Sequence, residues 1–241
     1  MNMSKRNSIP PDGRLTIMAD MIIKNQAIAD IGTDHTLLPI YMLEKELIPH
    51  AIVTEIIAGP YQRAKKAVKA SSFSERIEVR KGNGLDTVQP SEVASIIIAG
   101  MGGDTIAEII SRDWDKSSSF SRFILQPMSR PHVVRGLLAT RGWTINEERL
   151  VLENNRFFVI LSYSPANKPY KLTSLQEDIG PQLLKKDYIY KGEYLNHFLL
   201  KYKKVYEKLM ASEGSTVESR ITEYKDKILK LEEIINEIKP D

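Results

Sequence analysis

Ile28-Ala29-Asp30-Ile31-Gly32-Thr33-Asp34-His35 is the stretch on which the reading of this chain turns. A short run rich in isoleucine ends near an acid, a glycine follows at the turn, and a helical pattern opens at Thr36. Glycine between a strand and a helix lets the backbone approach a ligand without a Cβ in the way. A carboxylate at the strand end can accept hydrogen bonds from an ammonium or a hydroxyl. A dinucleotide loop would place three glycines at G-x-G-x-x-G, so that a pyrophosphate rests on the helix N-terminus. Here Gly32 stands alone and Asp34 would repel that pyrophosphate, so a nicotinamide dinucleotide fits poorly.

Outward from this segment, apolar runs at 27–31, 51–54, 77–80, 95–99 and 123–125 read as buried parallel strands, each closed by glycine, proline or a polar turn. Helical patterns at 36–45, 60–70, 105–111 and 131–141 separate them, which predicts a doubly wound α/β sheet with right-handed crossovers. Segments 149–152 and 157–162 flank Glu153-Asn154-Asn155, and asparagine tolerates the left-handed turn conformation. That predicts an antiparallel hairpin closing one edge, a total of seven strands, and a methyltransferase-type rather than a dehydrogenase-type sheet.

The composition changes near 164–169, dividing a sheet domain over 1–164 from a lysine-rich helical domain over 165–241. Leu195, Phe198, Leu199, Tyr202, Val205 and Leu209 fall at helical spacing. After a break at 212–215, Ile221, Tyr224, Ile228, Leu231, Ile235 and Ile238 form a heptad seam. Two such stripes predict an antiparallel helical hairpin whose seam closes within one chain or between two; a monomer is expected.

Four strand ends converge in such a sheet, since ligands bind outside the carboxyl ends of strands at the switch point. Asp30 and Gly32 come from the first, and Glu55 ends the second, where an acid pairs with adenosine ribose hydroxyls. Asn83 and Gly84 follow the third, within reach of an adenine edge; Gly100, Met101 and Gly102 follow the fourth and leave room for a flat base or a sulfonium. S-adenosyl-L-methionine (AdoMet) has no phosphate and carries an ammonium, so it suits this acidic set. Asp34 is the catalytic candidate, as a carboxylate that could stabilise positive charge developing on an acceptor; capping the following helix is its structural alternative. His35 is a further candidate for cofactor contact. His50, His132 and His197 show no ligand spacing, so no metal site is expected.

The 241 residues include no cysteine, which excludes structural disulfides, thiolate metal sites and a cysteine nucleophile. No apolar run is long enough to span a bilayer, and residues 1–10 lack the apolar core of a signal peptide, so a cytoplasmic protein is expected. No P-loop or nucleophile-elbow spacing is present.

These same residues carry a family resemblance. Ala-Asp30-Ile-Gly32-Thr-Asp34-His35, Thr-Glu55-Ile, Gly-Asn83-Gly84-Leu, Ala-Gly100-Met101-Gly102-Gly and Ile124-Leu-Gln-Pro127 resemble, in order and spacing, the bacterial tRNA (adenine-22-N1)-methyltransferase family, TrmK. The likeness extends to Arg14-Leu15 and to the lysine-rich tail. It implies a class I AdoMet-dependent enzyme that modifies N1 of an adenine in the tRNA D-arm. It also places Asp30, Gly32, Asp34, His35, Glu55, Asn83, Gly84, Gly100, Met101 and Gly102 around the cofactor. The chain departs from the family pattern at Met128, where an asparagine amide is expected after Gln-Pro. A methionine cannot read an adenine edge.

For an RNA partner the signal is local. Residues 182–208 hold seven lysines against three acids, with Tyr188, Tyr190, Tyr194, Tyr202 and Tyr206 interleaved. Lysines neutralise phosphates and tyrosines stack on bases, although the same pattern also suits a solvated helix over a tyrosine core. Lys185, Lys186, Lys201 and Lys204, with Arg6, Arg14, Arg130 and Arg135, are the predicted phosphate contacts. Two other readings stay open: a methyltransferase of another RNA base or a small molecule, and a non-catalytic RNA-binding protein on a vestigial nucleotide fold. AdoMet affinity separates the last from the others.

Overall fold

The structure, a computed structural model, describes residues 13–33, 36–212 and 215–238. Seven strands form one sheet: β1 (Ile28–Ile31), β2 (Ala51–Glu55), β3 (Ile77–Lys81), β4 (Ser95–Gly102), β5 (Arg122–Ser129), β6 (Thr144–Glu153) and β7 (Arg156–Ser164), in the order β3-β2-β1-β4-β5-β7-β6. Neighbours from β3 to β5 are parallel, and β7 runs antiparallel to both β5 and β6. The expected α/β sheet and its antiparallel hairpin are therefore both present. The hairpin does more than close an edge, because β7 inserts between β5 and β6. Its turn is made by Asn154 and Asn155 at φ 48° and 59°, the left-handed pair that a two-residue hairpin loop requires.

Both sheet faces are covered, which is why the strands read as continuous apolar runs rather than as alternating ones. Ala29, Ile31, Ile96, Ile98, Phe123 and Leu125 face one side, and Ile28, Ala51, Val53, Ile97 and Ile124 the other. The second face is covered by α1 (Gly13–Met21), α2 (Leu37–Glu44) and α3 (Ala58–Ala70), through Met18, Met42 and Val68 among others. The first is covered by α4 (Gly103–Ser111), α6 (Pro131–Thr140) and the C-terminal helices; the short α5 (Trp114–Ser118) adds Trp114 against Trp143. Helix α1 was not expected, although Leu15, Met18, Ala19 and Ile22 repeat at helical spacing.

Beyond Ser164 come α7 (Ser174–Ile179), α8 (Pro181–Lys185), α9 (Lys191–Met210) and α10 (Ser215–Glu237). Helix α7 opens with a capping box between Thr173 and Gln176. Helices α9 and α10 pack on each other, with Leu231 of the expected seam fully buried. A run of rings, Phe157–Tyr194–Phe198–Tyr202–Tyr224, at centroid spacings of 5.3, 5.2, 5.8 and 5.7 Å, connects β7 to both helices. Of the two readings of these tyrosines, Tyr194 and Tyr202 follow the tyrosine core and not base stacking. Lys227 of α10 bonds Asp178 of α7 at 2.9 Å, and Tyr202 donates to the same carboxylate at 2.8 Å.

Candidate functional site

The strand order reverses between β1 and β4, and the predicted residues gather at the carboxyl edge on either side of that point. Hydrogen bonds fasten the loops into one rim. The Gly32 N–H donates to the Thr54 carbonyl at 2.7 Å, the Thr54 hydroxyl to the Gly84 carbonyl at 3.2 Å, and the Gly82 N–H to the Glu55 carbonyl at 3.1 Å. Across the switch point, the Gly100 N–H donates to Oε1 of Gln126 at 3.2 Å. Gln126 is itself buried and donates back to the Pro127 carbonyl at 3.3 Å, so one side-chain amide shapes the β4 loop.

A cavity of about 240 Å³ opens beside this rim. Asp30, Gly32, Thr33, Gly100 and Gln126 line it, with Arg14, Met18 and Leu38 on the side of the first two helices. Asp30 is only 6% exposed. Burial pushes its carboxyl from 3.8 up to about 6, opposed by a hydrogen bond from Thr33. Gly100, at φ +76°, has open space where a Cβ would stand. Glu55, Asn83 and Gly84 lie along the rim outside this cavity. The Glu55 carboxylate accepts from the Ile57 N–H at 2.8 Å. Beside it, Ile56 and Ile57 are 53% and 62% exposed, an apolar ledge next to an acid. Met101 lies across Gly32, and Gly102 precedes α4 with its open side toward Ser129.

Of the other sequence candidates, Asp34, His35 and Arg6 lie outside the described residues. Arg14 is in the cavity wall, with its guanidinium on Glu153 at 2.7 Å and 4.3 Å from the Phe158 ring centre. Arg130 is exposed and bonds both Asp104 oxygens at 2.8 Å. Lys185, Lys186, Lys201 and Lys204 are exposed. Arg135 is a correction: its side chain has no solvent exposure and is paired with Glu148 inside the protein, so it is not a phosphate contact. Among the described residues, no cluster of three histidine, cysteine or acidic side chains could hold a metal ion. Gln126, Thr33 and the Ile56–Ile57 ledge were missed. A buried glutamine inside the otherwise apolar run 123–127 was the available signal for the first.

The glycine at 32 gives the first test. Its φ of +74° disfavours any side chain, and a Cβ there would come within 2.1 Å of Met101 Cε. Gly32→Ala is expected to cost about 1–2 kcal/mol of stability and to displace Met101. Thermal denaturation with an AdoMet titration checks this, and an unchanged midpoint would remove the argument.

Comparisons with known proteins agree with this geometry. A family model described as tRNA (adenine(22)-N(1))-methyltransferase matches residues 28–233. The chain is 30% identical over 236 residues to the tRNA (adenine(22)-N(1))-methyltransferase of Bacillus subtilis, covering 95% of this chain and 99% of that one. It superposes on the crystal structure of the B. subtilis M1A22 tRNA methyltransferase TrmK with a TM-score of 0.82 and 29% identity, covering 92% and 97% of the two chains. A Streptococcus pneumoniae protein, Sp1610, solved in complex with S-adenosyl-L-methionine, gives a TM-score of 0.74 at 33% identity over 92% and 98%. The acidic rim, the sheet order and these matches together show that the chain belongs to the tRNA (adenine(22)-N(1))-methyltransferase family.

Proposed function

We propose that this protein transfers a methyl group from AdoMet to N1 of an adenine in the D-arm of tRNA. The observation that carries the proposal is Asp30, a carboxylate buried in the wall of a crevice at the switch point. The ammonium of AdoMet would supply the positive charge that such a group favours. Asp30 would hold the ammonium, with Gly32 and Gly100 allowing close approach and Met101 and Gly102 completing the loop. Glu55 would take the ribose hydroxyls, the Ile56–Ile57 ledge a face of the adenine, and Asn83 with Gly84 its edge. His35 is proposed to border the same pocket.

AdoMet brings an electrophilic sulfonium methyl. The acceptor N1 carries an in-plane lone pair, so the protein need not supply a strong base, and positioning can carry much of the rate. Asp34 is proposed to stabilise the positive charge that develops on the base. Because N1 is covered in a Watson–Crick pair, the adenine must be presented unpaired.

Lys185, Lys186, Lys201 and Lys204, with Arg6, Arg14 and Arg130, are proposed to follow the tRNA backbone. Replacing the four lysines with alanine is expected to weaken tRNA binding and to lower the salt slope of log Kd by about one per lost phosphate contact. AdoMet affinity should stay unchanged. An unaltered salt slope would remove these lysines from the interface. The α10 seam is occupied by α9 of the same chain, which supports a monomer. A tRNA substrate supports a cytoplasmic location, and no described helix is long and apolar enough to cross a membrane.

The decisive test is incubation with labelled AdoMet and unmodified tRNA, followed by digestion to nucleosides. Labelled 1-methyladenosine is expected. A different labelled nucleoside would overturn the base assignment, and AdoMet binding without transfer to tRNA would overturn the acceptor.

A further inference from the structure

The β6–β7 hairpin has its tip at the carboxyl edge of the parallel strands, on the same side as the cofactor rim. Arg156 begins β7 there, and its Nη2 donates to the Met128 carbonyl at 2.8 Å. Met128 stands two residues beyond Gln126 in the cavity wall. The Arg156 guanidinium also lies 5.1 Å from the Phe158 ring centre, on the same ring that Arg14 approaches at 4.3 Å. The two arginines differ in charge balance. Arg14 is neutralised by Glu153 at 2.7 Å, whereas among the described residues Arg156 has no carboxylate within ion-pairing distance.

A guanidinium has five N–H donors in a planar fork, and the Met128 carbonyl uses one of them. The ring and the carbonyl restrain the group, leaving an exposed cation with donors to spare. A phosphate matches that fork and charge. We propose that Arg156 binds a backbone phosphate of the RNA acceptor at the mouth of the cofactor crevice, with the Arg14–Glu153 pair buttressing the Phe158 ring beneath it. This rests on the tRNA reading above, and it adds an anchor at the hairpin tip to the lysines of the C-terminal helices. The competing anion is the carboxylate of AdoMet itself.

Arg156→Gln keeps a donor for Met128 but removes the charge, and Arg156→Lys keeps the charge but removes the fork. Direct binding of tRNA, without methyl transfer, and of AdoMet are measured separately for each. For Arg156→Gln, about ten-fold weaker tRNA binding is expected, with the salt slope lower by about one. AdoMet affinity and thermal midpoint should match the parent, and Arg156→Lys should fall between. Weaker AdoMet binding would assign the arginine to the cofactor carboxylate and overturn the proposal. A lower midpoint with unchanged tRNA binding would make it a structural residue, again overturning it. Failure of the parent protein to bind tRNA would instead strike the functional reading itself.

Discussion

Asp30→Asn is expected to stabilise the cofactor-free protein while weakening cofactor binding. The folded protein holds this carboxyl at about 6 because burial disfavours its charge, against 3.8 for an ordinary aspartate. Below the lower value both folded and unfolded states are protonated, and the group costs nothing. Between the two, the unfolded chain has released a proton that the folded chain still holds, so stability falls as pH rises. Above about 6 the full penalty applies, roughly 3 kcal/mol from the linkage relation. An amide carries no such charge, so Asp30→Asn should gain up to about that amount near pH 8 and little at pH 4. AdoMet affinity should move in the opposite direction. It should be lowered by about a hundred-fold or more in the variant, in line with loss of a charged hydrogen bond. In the parent it should weaken as pH drops below about 6, where the ammonium would meet a protonated acid. Thermal melts from pH 4 to 8, with and without AdoMet, read both effects. A variant that melts lower than the parent at pH 8 without ligand would show that Asp30 serves the fold, and the exchange of stability for binding would be wrong.

What the sequence made legible follows from what each residue needs. Strands β1, β2 and β4 stand out because both of their faces are covered, so Ile28, Ile52 and Ile97 sit in runs with hardly a polar interruption. Asp30 stands out for the complementary reason, as a charge inside such a run. The hairpin was legible because Asn154 and Asn155 can adopt a left-handed conformation cheaply. Helix α3 begins at Ala58 rather than Pro60, since the N–H groups of a first turn have no intrahelical acceptor and a proline there forfeits no hydrogen bond. What the sequence left open or misplaced is the role of residues that depend on a distant partner. Tyr194 and Tyr202 share a lysine-rich segment with exposed residues, and only the packing of α9 on β7 and α10 separates the tyrosines of the core from the lysines outside. Arg156 looks like an ordinary arginine after a turn until the Met128 carbonyl and Phe158 ring are placed beside it.

Arg135 is the clearest case, and its replacement should have the largest effect on folding. Its Nε donates to Glu148 at 2.7 Å, and its terminal nitrogens donate to the carbonyls of Glu177, Asp178 and Ile179, which end helix α7. Glu148 in turn accepts from the Gln182 N–H at 2.8 Å, opening α8. One ion pair therefore serves two helix ends, whose terminal backbone groups have no intrahelical partner. Gly180 between them, at φ +115°, has Arg135 and Glu148 atoms 2.7–2.8 Å from where a Cβ would stand, so the knot also dictates a glycine. Burial works against the Arg135 charge, but Glu148 overcomes it and holds the guanidinium above its ordinary range. Arg135→Met would strand a buried carboxylate, which typically costs about 3–5 kcal/mol, and release the Glu177 and Asp178 carbonyls besides, while Ile179 keeps the Tyr194 hydroxyl at 3.3 Å. Glu148→Gln should cost less, because an amide still accepts one hydrogen bond. The double variant should cost less than the sum of the two, a coupling measurable by a denaturation cycle. Loss of the charge separates this structural role from contact with RNA: Arg135→Met should lose much of the stability while leaving the salt slope of tRNA binding unchanged under folding conditions. A lowered slope with an intact midpoint would return Arg135 to the RNA interface. The pair joins α6 and β6 to α7 and α8, so the lysine-bearing helices are held to the methyltransferase sheet by a charge that the solvent never reaches.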